Sequence, residues 1–326
     1  MTGPVVITGA AGFIGRHTVK AAREAGLSVR AVVRRAATAP EGWAAEDGIE
    51  VFEADLTKQP DLTAVFAGAE AVIHAAARMT GRAQEQCGDT LAVSEAVLGA
   101  VLAAQVKRVV LVGSITVHDV TALADFDRLS EATPLECDPA RRDGYAAAKL
   151  AQEELFQATA QMGEFSLSVL RPGAVYGPGR LGNAHLGPGL GSLLLLLDGG
   201  GEIPLCQVTL CAEALVRAAQ APEGVGEINL IDDDLPDRRR FVAALRASGW
   251  PRRVLRLPLG PVRLAAWITP NGGFMPGLLR RKVLEARHKP LRYDNARMHN
   301  RLGPVTMPPF EEAMARAIAA ERDETK

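Results

Sequence analysis

The hydrophobic positions of this chain follow two periods. Short strand-like runs occur at Val5 to Thr8, Val29 to Val33, Ile49 to Glu53, Ala71 to His74, Val109 to Val112 and Ser166 to Leu170. Between them lie stretches with helical spacing: Phe13 to Ala25, a short one around Leu62 to Phe66, and a long alanine-rich one ending near Ala104. A fourth carries Tyr145 and runs to about Met162. Such alternation predicts a parallel sheet covered on both faces. Its right-handed crossovers make it a doubly wound α/β fold.

After Arg171 the pattern changes. Gly and Pro cluster from Pro172 to Gly201, which reads as loops and turns. A helix from Glu213 to Ala221 and a strand from Glu227 to Ile231 are expected to rejoin the sheet. From Asp232 onward the chain is rich in Pro and Arg. The expected organisation is a main domain over 1–171, with 213–231 rejoining it, and a smaller lobe from 172–212 and 232–326. The charged tail from Glu321 is expected to fray.

Composition narrows the class. The chain has 326 residues, 48% of them hydrophobic, enough for a sizeable core. Its net charge of −1 gives no general pull toward nucleic acid. The basic runs at Arg238-Arg239-Arg240 and from Arg280 to Lys289 read as solvated helix faces, or else as contacts to a phosphate-bearing substrate. No stretch reads as a signal peptide, and the run Leu193 to Leu197 is too short for a membrane span. Cys87, Cys137, Cys206 and Cys211 form no C-x-x-C pair, and no His/Cys spacing suggests zinc. A cytoplasmic protein with reduced thiols is the expectation.

The first turn carries chemistry. Gly9, Ala11, Gly12, Phe13, Ile14 and Gly15 lie in a G-x-x-G-x-x-G loop that joins the first strand to the first helix. Glycines let the backbone turn tightly and approach a pyrophosphate, and the helix behind offers free N–H groups and its positive end. The strand and helix on either side give the motif the context of a dinucleotide site. The second strand ends in Arg34 and Arg35, where NAD-preferring sites hold an acid. Two guanidinium groups suit a 2′-phosphate, so NADP is favoured over NAD.

Tyr145 and Lys149 form a Y-x-x-x-K pair, one turn apart on one helix face. An ammonium near the phenol is expected to lower its pKa from about 10, preparing it to exchange a proton with an alcohol or carbonyl. Ser114 follows the fifth strand, at the carboxyl edge where open sheets bind ligands. Its hydroxyl can hold the reacting oxygen.

With these residues the chain resembles the extended short-chain dehydrogenase/reductase family, which includes nucleotide-sugar epimerases and dehydratases, 3β-hydroxysteroid dehydrogenases and dihydroflavonol-reductase-like enzymes. Further family marks are Asp55-Leu56, the run Ala75-Ala76-Ala77 after His74, Arg171-Pro172-Gly173, and Val175-Tyr176-Gly177-Pro178. The resemblance implies that Asp55 and Leu56 lie at the adenine. It implies that Ala75, Ala76, Ala77, Pro172 and Gly173 line the ribose and nicotinamide, and that Lys149 also grips the ribose beside Tyr145. It further implies a homodimer through the long helices. The chain departs from the family at Thr90, where an asparagine is usual, and at Gly113, where a serine is usual. Ile115-Thr116 replace the Asp-Glu of 4,6-dehydratases, and Ile115 replaces the cysteine of GDP-fucose-synthase-like enzymes. His118-Asp119 stand for a usual Tyr-Gly, and Val208-Thr209-Leu210-Cys211-Ala212 for a usual V-D-D-V-A.

The first functional reading is a ketoreductase or epimerase acting on a small-molecule substrate, a sugar, most simply a nucleotide-linked one. A second is a hydroxysteroid or flavonoid-type dehydrogenase, with Leu193 to Leu197 as a candidate apolar wall or as plain core. A third is a non-catalytic dinucleotide sensor.

Overall fold

The computed structural model describes residues 3–58, 62–77, 83–139, 142–269, 280–305 and 307–324. Seven strands build the main sheet: β1 (Val5–Thr8), β2 (Val29–Val33), β3 (Ile49–Glu53), β4 (Ala71–His74), β5 (Arg108–Val112), β6 (Ser166–Pro172) and β7 (Gly226–Leu230). All pair in parallel, in the order β7-β6-β5-β4-β1-β2-β3. Strand direction of growth reverses between β1 and β4, which opens a crevice at their carboxyl ends.

The pleat sorts the apolar residues between two cores. Val5, Ile7, Ala31, Ile73, Val110 and Leu170 face one side. There they pack under α1 (Phe13–Glu24) and α5 (Val208–Gln220), which supply Val19, Ala22, Leu210 and Leu215. Val6, Val32, Val72, Leu111 and Val169 face the other, under α2 (Thr63–Phe66), α3 (Ala83–Ala103) and α4 (Gly144–Ala160). Adjacent residues of one strand thus serve opposite cores, as the two-residue period of a strand requires. The strand expected to rejoin the sheet does so: β7 pairs with β6 from Gly226↔Ser168 to Leu230↔Pro172.

The stretch read as loops between Pro172 and Gly201 contains three strands, Ala174–Tyr176, Gly189–Leu190 and Leu193–Asp198. They are short and glycine-punctuated; Gly189–Leu190 pairs with Leu193–Asp198 next to it, while Ala174–Tyr176 pairs with Leu205–Gln207 and Leu193–Asp198 also with Arg253–Pro258. Leu194 and Leu196 are fully buried beside Tyr176, Leu186 and Phe241, so these two leucines are core of the lobe. Helix α6 (Arg238–Leu245) and the C-terminal helix Phe310–Glu324 close that core, with Phe241 stacked on Phe310 at 5.4 Å. The tail expected to fray from Glu321 stays helical to Glu324.

The reading of Arg238 as a solvated residue is overturned. Only 2% of it is exposed. Its guanidinium donates to the carbonyls of His185 (3.0 Å), Gly200 (2.8 Å) and Arg287 (3.0 Å), tying three lobe segments together. Arg239 and Arg240 instead pair with Asp198, and with Asp234 and Glu311.

Candidate active site

The glycine loop sits at the crevice between β1 and β4. Gly9 has φ +68°, and a Cβ there would stand 2.9 Å from the amide nitrogen of Ala76. Glycine therefore lets the first loop lie directly against the Ala75-Ala76-Ala77 loop. A Cβ on Gly15 would collide with the Gly9 carbonyl oxygen, so Gly15 seats α1 on the turn. Gly12 caps α1 without a side-chain hydrogen bond and is exposed, which leaves the first amides of the helix facing outward. This backbone cradle fits a dinucleotide pyrophosphate. Ile14 packs inward against the core under α1, and Ala11 does the same. Phe13 carries Arg180 over its ring at 4.9 Å and Arg16 at 5.7 Å.

Arg34 and Arg35 are exposed just beyond β2. The Asp55 carboxylate accepts from the Thr57 hydroxyl at 2.6 Å and its amide at 3.1 Å. Those bonds, with the charges of Lys58 and Arg34, hold it below the usual carboxylate range. Arg34 therefore lies near Asp55, and the neighbouring Leu56 is buried.

Ser114, Tyr145 and Lys149 meet at the carboxyl end of β5, but the pairing differs from the expected one. The Tyr145 phenol is hydrogen-bonded to Ser114, whose Oγ accepts from the Thr116 hydroxyl at 3.0 Å and amide at 3.3 Å. Asp143 caps α4 by accepting from Ala146 N at 2.9 Å, which starts the helix one residue before the tyrosine. Lys149 turns inward. Its ammonium donates to Val112 O at 2.8 Å and to Gln152 Oε1 at 2.9 Å. Burial pulls Lys149 down to about 8. Burial pushes the Tyr145 phenol up, and the Ser114 bond and Arg180 only partly offset it. The expectation of a lysine-lowered phenol is thus replaced: Lys149 spends its hydrogen bonds on the backbone and Gln152, and Tyr145 is held protonated.

Gln152 is the residue that sequence reasoning missed. Its amide Nε2 lies 3.1 Å from His74 Nε2 and donates to Ser94 Oγ at 2.9 Å. His74 Nδ1 in turn meets Thr8 Oγ1 at 2.7 Å, and the ring stacks on Phe156 at 5.3 Å. Burial pulls His74 down to about 3, so it is neutral. A continuous polar chain thus runs Thr8–His74–Gln152–Lys149 through the sheet's middle. Ser94 donates onward to Thr90 O at 2.7 Å, so position 90 enters the network through its carbonyl.

Other residues around the site make structural contacts. Arg171 forms a bidentate ion pair with Glu153, both fully buried, bolting β6 to α4. A Cβ on Gly113 would come within 3.3 Å of Arg171 Cγ, Leu170 O and Val169 Cγ1, so a side chain there would need these neighbours to shift slightly. A Cβ on Gly173 would collide with Pro204 O, so Gly173 lets the lobe's strand Leu205–Gln207 approach next to Pro172. His118 is buried between Thr133 O (2.9 Å) and Asn229 Oδ1 (3.1 Å). Arg142 donates to the carbonyls of Thr116 and His118, fixing the loop that leaves Ser114. Tyr176 is hydrogen-bonded to Asp232, whose carboxyl also accepts from Gln207 N at 2.8 Å. A polar recess of about 470 Å³ lies elsewhere, between Asp198, Asp237, Arg239 and Arg263.

Comparison with known proteins gives a consistent outline. The profile described as "NAD dependent epimerase/dehydratase family" matches residues 5–230. Ceramide reductase of Caulobacter vibrioides is 29% identical over 264 residues, covering 78% of this chain and 74% of that protein. The 4-hydroxy-2-methyl-3-oxo-4-farnesyl-3,4-dihydroquinoline-1-oxide ketoreductase of Stigmatella aurantiaca is 29% identical over 272 residues, 80% of this chain and 78% of that protein. Among solved structures, MoeE5 in complex with UDP-glucose and NAD superposes with a TM-score of 0.74 at 23% identity, over 99% of this chain and 100% of that one. The UDP-N-acetylglucosamine 4-epimerase from Bacillus cereus gives 0.71 at 16%, over 98% and 97%.

Proposed function

This chain belongs to the NAD-dependent epimerase/dehydratase family, enzymes of the extended short-chain dehydrogenase type, and from that premise we propose that it is a ketoreductase whose substrate joins a reducible carbonyl to a large apolar group. The observation that carries the reading is the placement of Tyr145 beside Ser114 at the carboxyl end of β5, with burial pushing the phenol's pKa up. A protonated phenol is an acid, and carbonyl reduction needs an acid at the oxygen.

A nicotinamide dinucleotide in the glycine cradle would supply the hydride. The chain's own residues do the rest. Ser114 Oγ, its lone pairs engaged by Thr116, offers its proton to the carbonyl oxygen and orients it. Tyr145 Oη gives its proton to that oxygen as the carbon is reduced. Lys149, held in register by the Gln152–His74–Thr8 chain, would supply a positive charge toward the ribose. Arg34, beside Asp55, and Arg35 would hold a 2′-phosphate and so favour NADP. Ala75, Ala76, Ala77, Pro172 and Gly173 would line the ribose and nicotinamide. A homodimer through α3 and α4, which lie side by side, completes the proposal, as does a cytoplasmic location.

The apolar substrate is supported by the relatives of greatest coverage, one named for ceramide and one for a farnesylated quinoline oxide, both reductases. A second reading, a nucleotide-sugar reductase or epimerase, draws on solved neighbours that hold UDP-sugars. The test is NADPH oxidation with a panel of long-chain and aryl ketones and with UDP-4-keto sugars. Stoichiometric loss with the apolar ketones supports the proposal; interconversion of UDP-sugar epimers without net absorbance change would overturn it.

A further inference from the structure

Four of the seven exposed large hydrophobic side chains among the described residues fall in one segment: Leu255 (51% exposed), Leu264 (59%), Trp267 (69%) and Ile268 (68%). Leu255 lies on the strand Arg253–Pro258, which runs directly into α7 (Leu259–Ile268). In α7 the exposed positions 264, 267 and 268 are spaced i, i+3 and i+4, so they share one helix face. The opposite face is the one in the fold, with Leu259 and Ala266 packed on Leu197 and Leu284. The helix is held to the body by Arg263, bidentate to Asp125 (2.7 and 2.9 Å) and to Glu285 (2.9 and 3.0 Å). Its outward face is therefore apolar by arrangement, on a helix firmly anchored from below.

The sequence that carries it is basic, with Asp125 and Glu285 matched by Arg263 alone. Residues 238–284 contain eleven Lys and Arg and no Asp or Glu, in a chain whose net charge is −1. Arg252, Arg253, Arg256 and Arg281, flanking the apolar face, are exposed and form no ion pair among the described residues. A tryptophan and aliphatic side chains rimmed by arginines match the border between acyl chains and anionic headgroups. A protein partner of the same fit would need acids around an apolar socket, whereas a second copy of this segment would set arginine against arginine.

We propose that the α7 face made by Leu264, Trp267 and Ile268 docks the lobe on the surface of an anionic phospholipid bilayer, where an apolar substrate resides. The contact is peripheral, since no helix among the described residues is long and apolar enough to cross a membrane. Arg263 links this helix to Asp125, in the segment between Ser114 and Tyr145.

The proposal rests on the apolar-substrate reading for its purpose but not for its test. The full chain is floated with vesicles of phosphatidylcholine alone and of phosphatidylcholine with phosphatidylglycerol, without cofactor or substrate. Binding is expected to be at least about tenfold tighter with phosphatidylglycerol and to weaken with salt. Replacing Leu264, Trp267 and Ile268 together by Ser is expected to cut it by about tenfold or more. Arg252→Gln, Arg253→Gln and Arg256→Gln together should erase the phosphatidylglycerol dependence while leaving thermal unfolding and NADPH affinity unchanged. Absence of vesicle binding by the wild type, or binding that neither set of substitutions reduces, overturns the proposal. So does a change of oligomeric state in the serine variant with no vesicle binding in the wild type, which would assign the face to a second copy. Failure of the ketoreductase reading would leave these binding results intact.

Discussion

Lys149 donates its ammonium to Gln152 Oε1 at 2.9 Å, less than one turn along the same helix, and Gln152 passes the contact to His74 on β4. Gln152 is thus a positioning residue for Lys149. Gln152→Leu leaves His74 and Ser94 without their partner and should destabilise the fold by about 1–3 kcal/mol. Gln152→Glu keeps an acceptor and adds a negative charge, which favours the protonated lysine. Lys149 sits near 8 because burial disfavours its charge, so activity is expected to fall as pH rises through about 8. Gln152→Glu should move that alkaline limb upward, and Gln152→Leu should not. Equal limbs in all three proteins would reduce Gln152 to a packing residue.

Tyr145→Phe removes the transferable proton and little surface. Turnover should fall by about two to four orders of magnitude, with NADPH affinity nearly intact. Single-turnover kinetics and cofactor titration separate the two effects. Wild-type kcat in the variant would remove Tyr145 from the chemistry.

Replacing Arg34 and Arg35 together by Ala should weaken NADPH more than NADH. Each charge-assisted hydrogen bond lost is worth about 1.5–3 kcal/mol. Titration of both cofactors against both proteins checks it, and equal losses would mean that the arginines do not read the 2′-phosphate.

Asp232 offers a stability test. Burial raises its carboxyl from 3.8 to about 6, with Asp233 and Asp234 adding to the shift. The folded state therefore binds the proton more tightly than the unfolded chain. That contribution is fully present below pH 3.8 and is lost as pH rises through about 6. Between those limits the wild type should lose roughly 2–3 kcal/mol relative to Asp232→Asn. Denaturant unfolding of both proteins from pH 4 to 7 measures it; parallel curves would contradict the buried, protonated carboxyl.

The main sheet was legible because each strand is a short apolar run and each helix keeps its period, so β1 to β4 fall where the pattern puts them. The glycine loop was legible for the same local reason. Arg238 was not: a run of three arginines looks solvated until the fold brings the carbonyls of His185, Gly200 and Arg287 around one of them. The lobe strands were hidden because Leu193–Asp198 finds its partner about sixty residues later, at Arg253–Pro258. In the active site, helical spacing put Tyr145 and Lys149 on one face but could not show that Lys149 points to Gln152. That choice depends on His74, which arrives from another strand. Thr116 was noted only for what it replaces, whereas its hydroxyl holds Ser114.

The central claim is that Tyr145, backed by Ser114, protonates a carbonyl oxygen while its carbon is reduced. The most direct measurement supplies NADPH deuterated at the transferred position, with a long-chain ketone, and follows the product by mass spectrometry. The account predicts one deuterium on the carbinol carbon per NADPH consumed in the wild type, and almost none with Tyr145→Phe under the same cofactor saturation. Product formation without deuterium, or equal incorporation in the two proteins, would contradict it.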